Sequence, residues 1–329
     1  MSIRAWQVPR LGAPADVLTL VDAPAPTPGP GQVRVAVRAS AVNFADTLLC
    51  AGEYQVKPDL PFVPGMEVCG DVLEIGAGVT HVAIGDRVLG GTALPHGGYA
   101  SECLMEGGRT FPAPIGLDDA ASAALMISYQ TGWFGLHRRA ALREGETLLV
   151  HAASGGVGSA AVQLGKAAGA RVIGVVGGED KVAIAEQLGC DVVIDRKTQD
   201  IVTVVKKVTD GHGADVVYDP VGGSAYTAST KCIAFEGRIV VVGFASGRIP
   251  EPRLNHAMVK NYSILGLHLW LYEKHEPQSL LDCHAELVRL ADAGLIEPLV
   301  AERFGFEDVP AALARIAGGS STGRIVVTA

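Results

Sequence analysis

Paired cysteines, paired histidines, basic runs and long apolar runs are all missing from this chain. The six cysteines (Cys50, Cys69, Cys103, Cys190, Cys232, Cys283) are scattered with no CxxC spacing. That removes a four-cysteine zinc lobe, and in a chain of this size it points to reduced, mostly buried thiols. The nine histidines show neither HxxxH nor HxH spacing, so no local pair of imidazoles is offered to a metal. Nothing basic offsets the net charge of −8, which argues against nucleic acid as a partner. No apolar run reaches the length of a membrane span, and "MSIRAWQVPRLG" lacks the apolar core of a signal peptide. The expectation is a soluble, cytoplasmic protein with no membrane partner.

What is present is length and glycine. A chain of 329 residues with 48% apolar content is comfortable for two domains, and 41 glycines suggest tight turns or a nucleotide site. Up to about residue 120 the pattern is strand-like. "QVRVAVRASAV" alternates as a half-buried strand should, and glycine turns recur. From Asp118 and Asp119 a helix-forming stretch, "DDAASAALMISYQTGWFGLHRRA", changes the texture. Apolar strands and helices then alternate: "ETLLVHA", "RVIGVV", "CDVVID", "ADVVYD", "RIVVVG" and finally "YSILGLHLW". Strands apolar throughout and separated by helices imply a parallel sheet covered on both faces. The tail, with two expected helices and the strand "GRIVVTA", reads as a return to the first domain. The expected fold class is α/β: a Rossmann doubly wound parallel sheet at 123–266, and a mostly β domain built from 1–122 and 267–329.

Between the first strand and helix of that sheet lies "AASGGVGSAA". It fits GxGxxG with Ala153, Gly155 and Gly158, the first glycine replaced by alanine. Ser154, Gly155, Gly156 and Val157 are therefore candidates to cradle a pyrophosphate at the helix N-terminus. The second strand ends without the Asp or Glu that would hold the ribose hydroxyls of NAD. Gly177 and Gly178 stand there, with Lys181 just beyond and Arg196 at the end of the third strand. Two cations and no acid at that position favour a 2′-phosphate, hence NADPH. Against this stand Glu179 and Asp180, and the plainer reading of Lys181 as a solvated helix-start residue.

The stretches "SAVNFADTLLCAGEY", "PGMEVCGDV", "IGDRV", "GGYASE", "ASGGVGSAAVQLGKAAGA" and "STGRIVV" resemble the medium-chain dehydrogenase/reductase superfamily, and within it the zinc-free, zeta-crystallin-like NADPH:quinone reductases. The resemblance implies a GroES-like first domain. It also accounts for "FVPGMEVCGD". Zinc alcohol dehydrogenases of the superfamily carry a His-Glu pair where this chain has Met66-Glu67, and a cysteine ligand in the segment where it has Asn43-Phe44-Ala45-Asp46. Cys69 alone does not restore three protein ligands, so no metal is expected. The resemblance further implies that Asn43 lies beside the nicotinamide, Tyr54 lines the substrate site, and Thr131 bonds the carboxamide. Gly243, Phe244, Ser246 and Leu267 match stretches that border the cofactor. Arg324 is either a phosphate contact or a strand-end cation.

Without zinc there is no Lewis acid to polarise an alcohol or ketone, which favours an activated, conjugated acceptor. Three readings follow: an NADPH quinone reductase, with Tyr54 or solvent as proton donor; an enoyl or enone reductase; and a non-enzymatic NADPH-binding protein. The presence of Asn43, Tyr54 and Thr131 speaks against the last. A homodimer is expected through Tyr262–Trp270, read as an apolar strand at the sheet edge, unless a tail helix near Leu280–Leu290 covers it.

Overall fold

In the computed structural model, which describes residues 2–319 and 321–329, the chain divides into two compact units. One comprises Met1–Ile127 and Glu297–Ala329, the other Ser128–Ile296.

The first unit begins with a hairpin of β1 (Ser2–Gln7) and β2 (Thr19–Pro24), bridged by the one-turn α1 (Pro14–Val17). Four antiparallel strands follow: β3 (Gln32–Val42), β4 (Glu67–Ile75), β5 (Arg87–Thr92) and β6 (Glu102–Pro112). Because β3 pairs with both β4 and β6, this sheet closes on itself. The alternation of "QVRVAV" is what makes closure work. Val33 and Val35 are fully buried with Val68, Val72, Val88 and Met105, while Arg34 turns away to meet Glu74 and Glu102 at 2.9 and 2.6 Å. Helix α2 (Phe44–Ala51) follows β3, and α3 (Asp119–Ala123) is capped by the Asp118 carboxylate, which accepts the Ala121 N–H.

The expected long helix after Asp118 is instead broken into α3, α4 (Met126–Trp133) and a π-helical turn at Phe134–Arg139. The second unit then alternates strictly. Strand β7 (Thr147–His151) is followed by α5 (Gly156–Ala167), β8 (Arg171–Val176), α6 (Val182–Gln187), β9 (Val192–Asp195) and α7 (Ile201–Val208). Next come β10 (Ala214–Asp219), α8 (Gly223–Cys232), β11 (Ile233–Val241), α9 (Leu254–Lys260) and β12 (Ser263–Gly266). All pairings are parallel, in the order β12-β11-β10-β7-β8-β9, the doubly wound topology the alternation called for.

Three expectations are corrected. The run "YSILGLHLW" does not form one strand: only Ser263–Gly266 pairs, at the sheet edge, and Trp270 opens the helix α10 (Trp270–His275). The return to the first unit also begins later than residue 267. Helix α10 and α11 (Pro277–Asp292) stay with the second unit, because the Tyr272 ring lies 4.2 Å from that of Phe134 and Glu276 binds Arg138 at 2.7 Å. The boundary expected at 122 falls after Ile127. The chain then completes the closed sheet with β13 (Val300–Gly305), α12 (Val309–Ala317) and β14 (Arg324–Thr328), the last antiparallel to β3.

Candidate functional site

In the second unit, the sequence-predicted cofactor residues collect at the C-terminal ends of the strands. After His151 the chain turns through Ala152, at φ 51°, and the buried Ser154 to Gly155, the extended N-cap of α5. At Gly158 a Cβ would stand 2.0 Å from the Ala152 carbonyl oxygen. Only glycine lets the helix start this close to the strand end, and the closeness presents the first-turn N–H groups of Gly156 and Val157 to an anion.

The tip of β8 gathers two cations over a pair of glycines. Gly178 holds φ 137°, a conformation L side chains rarely adopt, and its N–H donates to Asp195 Oδ1 at 2.9 Å. The Lys197 N–H donates to the same oxygen at 3.0 Å. Asp195 is thereby turned inward as the buried organiser of the rim. The Arg196 guanidinium lies across Gly177, where a Cβ would be 3.0 Å from Nη2, and Lys197 Nζ stands 3.3 Å from the corresponding point at Gly178. Both cations are exposed, whereas Lys181 sits half-exposed at the start of α6. Lys197 was missed by sequence reasoning. The signal was its place directly after Arg196, beyond the end of β9 at Asp195, where strand alternation no longer applies. Asp180 also reaches this mouth, 2.6 Å from the Cβ position at Gly178, and moderates its positive charge.

Gly243, Phe244 and Ser246 belong to the loop after β11. That loop is stitched to the one after β10: Ala245 N–H donates to Pro220 O and Ser246 N–H to Val221 O, both at 3.0 Å. The buried Asp219 carboxylate accepts the Val221 and Gly222 N–H groups at 2.9 Å, fixing the same corner. Phe244 is 41% exposed, an apolar ring left at the strand ends. Leu267 follows β12 and bonds back to Val241 O. Thr131 is on α4, next to Gly132, where a Cβ would meet Leu164 of α5 at 2.8 Å. The glycine cradle and the two cations over Gly177–Gly178 together fit a dinucleotide phosphorylated on its ribose.

In the first unit, Asn43 is the N-cap of α2 and buried. Its N–H donates to Asp46 Oδ2 at 2.9 Å, and its Nδ2 donates to Ala41 O at 3.2 Å and Glu67 Oε2 at 3.5 Å. Asp46 also accepts the Gly65 N–H and the Tyr99 hydroxyl, at 3.3 and 2.9 Å. Burial pushes the Asp46 carboxyl up to about 6, against the pull of those donors. Tyr54 follows α2 and packs half-buried against the cluster of Leu49, Cys50 and Phe62. Burial first, and the Asp46 charge second, raise its phenol above the ordinary value, while Arg109 acts in the opposite direction.

The second carboxylate of this cluster, Glu67, is wholly buried. Its Oε1 accepts the Ile127 N–H at 2.8 Å and its Oε2 accepts Arg324 Nη2 at 2.7 Å. Burial raises its pKa and Arg324 opposes the rise. This corrects the reading of Arg324 as a phosphate contact. The guanidinium is only 7% exposed and is committed to Glu67, because it enters at the start of β14 beside β3, whose Ala41 faces Glu67 in register.

A zinc ion does not fit these residues. Glu67 is satisfied by Arg324, its neighbour is Met66, and Cys69 lies elsewhere, its Sγ 3.9 Å from Asp119 Oδ1. Burial pushes the Cys69 thiol up to about 12, away from the thiolate a metal needs. Among the described residues no group of three His, Cys, Asp or Glu side chains converges.

Known proteins match both units. The family described as zinc-binding dehydrogenase matches residues 156–286, and the alcohol dehydrogenase GroES-like domain matches 29–131. The chain is 42% identical over 297 residues to a quinone oxidoreductase-like protein 2 homolog of Nematostella vectensis, covering 90% of this chain and 81% of that protein. A probable oxidoreductase from Mycobacterium abscessus superposes with a TM-score of 0.90 at 34% identity, covering 100% of this chain and 99% of the other. Mycobacterial Rv1454c, solved in complex with NADPH, superposes with a TM-score of 0.90 at 29% identity over 100% of both chains.

Proposed function

Since this chain belongs to the medium-chain dehydrogenase/reductase superfamily, in its quinone oxidoreductase-like branch, we propose that it is a zinc-independent oxidoreductase that transfers hydride from NADPH to a quinone. The observation that carries this reading is the pairing of Glu67 with Arg324. The carboxylate next to the position where zinc-using members of the superfamily carry a histidine, Met66 here, is neutralised by a buried guanidinium. No Lewis acid then polarises an alcohol or an isolated ketone, and the fitting acceptor is one activated by its own conjugation.

NADPH when bound supplies the hydride, and the chain supplies everything else. The first turn of α5 carries the pyrophosphate, and Arg196 and Lys197, with Lys181 as a weaker third, hold the 2′-phosphate. Gly243, Phe244, Ser246 and Leu267 border the cofactor at the strand ends. Thr131 bonds the carboxamide and Asn43 orients the nicotinamide. Asn43 suits that task because its backbone and side chain are already held by Asp46, Ala41 and Glu67, so little freedom is lost on binding. Tyr54 or water delivers the proton that completes the reduction. A raised phenol pKa keeps Tyr54 protonated at neutral pH, as a donor must be.

A steady-state screen of NADPH oxidation against quinones and α,β-unsaturated carbonyls tests this. Turnover with quinones is expected. Turnover confined to enones would move the activity to carbon–carbon double bonds, and no turnover with either would leave only cofactor binding. The open edge of β12 fits the further proposal that two copies pair there as a homodimer.

A further inference from the structure

Arg196 and Lys197 reach the tip of β8 over different glycines, Arg196 across Gly177 and Lys197 beside Gly178. Lys197 has an acid set against it. The chain leaves Gly178 at φ 137° and doubles back through the single turn Glu179–Lys181, in which the Lys181 N–H donates to Gly178 O at 3.1 Å. That turn brings Asp180 back over Gly178, with its Oδ1 2.6 Å from the point a Cβ would occupy. A Cβ there would displace the carboxylate, so the place Asp180 fills exists because residue 178 is glycine. Lys197 Nζ stands 3.3 Å from the same point. The two distances sum to 5.9 Å, the widest separation this oxygen and the ammonium can have.

The backbone beneath the pair is fixed. Asp195 Oδ1 accepts the Gly178 N–H at 2.9 Å and the Lys197 N–H at 3.0 Å, so the tip of β8 and the turn after β9 share one anchor. The Gly178 N–H is thereby committed and does not hold Asp180. What is left to move is the two side chains, and both residues are exposed. A phosphate on the ribose brings about two negative charges to an ammonium that already faces one. A dinucleotide without that phosphate makes no demand on Lys197.

We propose that Asp180 is a specificity-determining residue: its carboxylate faces the Lys197 ammonium in the place of the 2′-phosphate, and is displaced by NADPH but not by NADH. This rests on the assignment of Arg196 and Lys197 to the 2′-phosphate. The two cations create the preference for the phosphorylated cofactor, and Asp180 narrows it. Glu179, adjacent in the chain and of equal charge, is the control for a change in surface charge alone.

The test is titration calorimetry of the full chain with NADPH, NADH and adenosine 2′,5′-bisphosphate. The variants are Asp180→Asn, Glu179→Gln, Arg196→Ala, Lys197→Ala and the double variant of Asp180→Asn with Lys197→Ala. Asp180→Asn is expected to tighten NADPH and the bisphosphate about fivefold, the scale of one exposed ion pair, and to leave NADH within about twofold. In the Lys197→Ala background the same substitution should change NADPH affinity by less than about twofold, because the ammonium it would release is gone. A gain that persists there means plain repulsion of the phosphate and overturns the proposal. So does a gain below about twofold from Asp180→Asn, an equal gain for NADH, or an equal gain from Glu179→Gln. If Arg196→Ala and Lys197→Ala both leave the NADPH/NADH ratio unchanged, it is the 2′-phosphate assignment that fails, and this proposal with it.

Discussion

Replacing Arg324 with Met removes one partner of an ion pair that is almost wholly out of water. Glu67 would keep the Ile127 N–H at 2.8 Å and the Asn43 amide at 3.5 Å, but lose the guanidinium charge bonded to it at 2.7 Å. With charge centres about 4 Å apart and an effective dielectric near 20, the lost attraction is about 4 kcal/mol. Breaking buried pairs on one side typically costs about 3–5 kcal/mol, in line with that figure. Glu67→Gln, which strands the guanidinium, should cost a similar amount. The double variant replaces both charges by neutral groups and should cost far less than the sum, with a coupling of about 2–3 kcal/mol. Urea unfolding of the four proteins measures this. Trp6, whose Nε1 donates to Phe306 O at 2.8 Å in the same unit, reports the transition once Trp133 and Trp270 are replaced by Phe. Single variants each within about 1 kcal/mol of the parent, or strictly additive losses, would show that Glu67 and Arg324 are not a buried charged pair, and the neutralised-site argument would go with them.

Three further outcomes are expected. Arg196→Ala and Lys197→Ala should each weaken NADPH by about 1.5–3 kcal/mol and leave NADH nearly unchanged, whereas Lys181→Ala should matter less; an unaltered NADPH/NADH ratio in both would refute the 2′-phosphate assignment. The folded-state pKa of Asp46, about 6 against 3.8, is raised, so its contribution to stability is full below the unfolded value and is lost as pH climbs through about 6. The loss amounts to about 3 kcal/mol, undiminished by solvent because the group is fully buried; unfolding midpoints at pH 4.5 and 7.5 should therefore differ less in favour of neutral pH than in Asp46→Asn, and identical pH profiles would contradict it. Light scattering should give twice the 34.1 kDa chain mass and a shift toward monomer for Ile264→Pro, which removes a donor from the edge strand; a monomeric native protein ends the dimer proposal.

Much of the architecture was legible because it is encoded locally. The alternation of Val33 and Val35, the strand–glycine–helix order around Gly155–Gly158, and the repeated apolar strands each report the immediate environment. The run "YSILGLHLW" was misread for the same reason. Apolar content alone does not distinguish a short edge strand from the helix start that buries Leu269 next to it. The site was less legible. Arg324 lies 257 residues from Glu67, and no local pattern reveals which cation a buried carboxylate will find. Lys197 escaped because the strand ended one residue earlier than alternation assumes.

The central claim is hydride transfer from NADPH to a conjugated acceptor with Arg324, not a metal, facing Glu67. Its most direct test is quinone turnover by purified protein of measured zinc content, before and after dialysis against a strong chelator. The expected result is zinc far below one per chain and a kcat that the chelator leaves unchanged. Near-stoichiometric zinc, with activity that falls on its removal and returns on its addition, would contradict it.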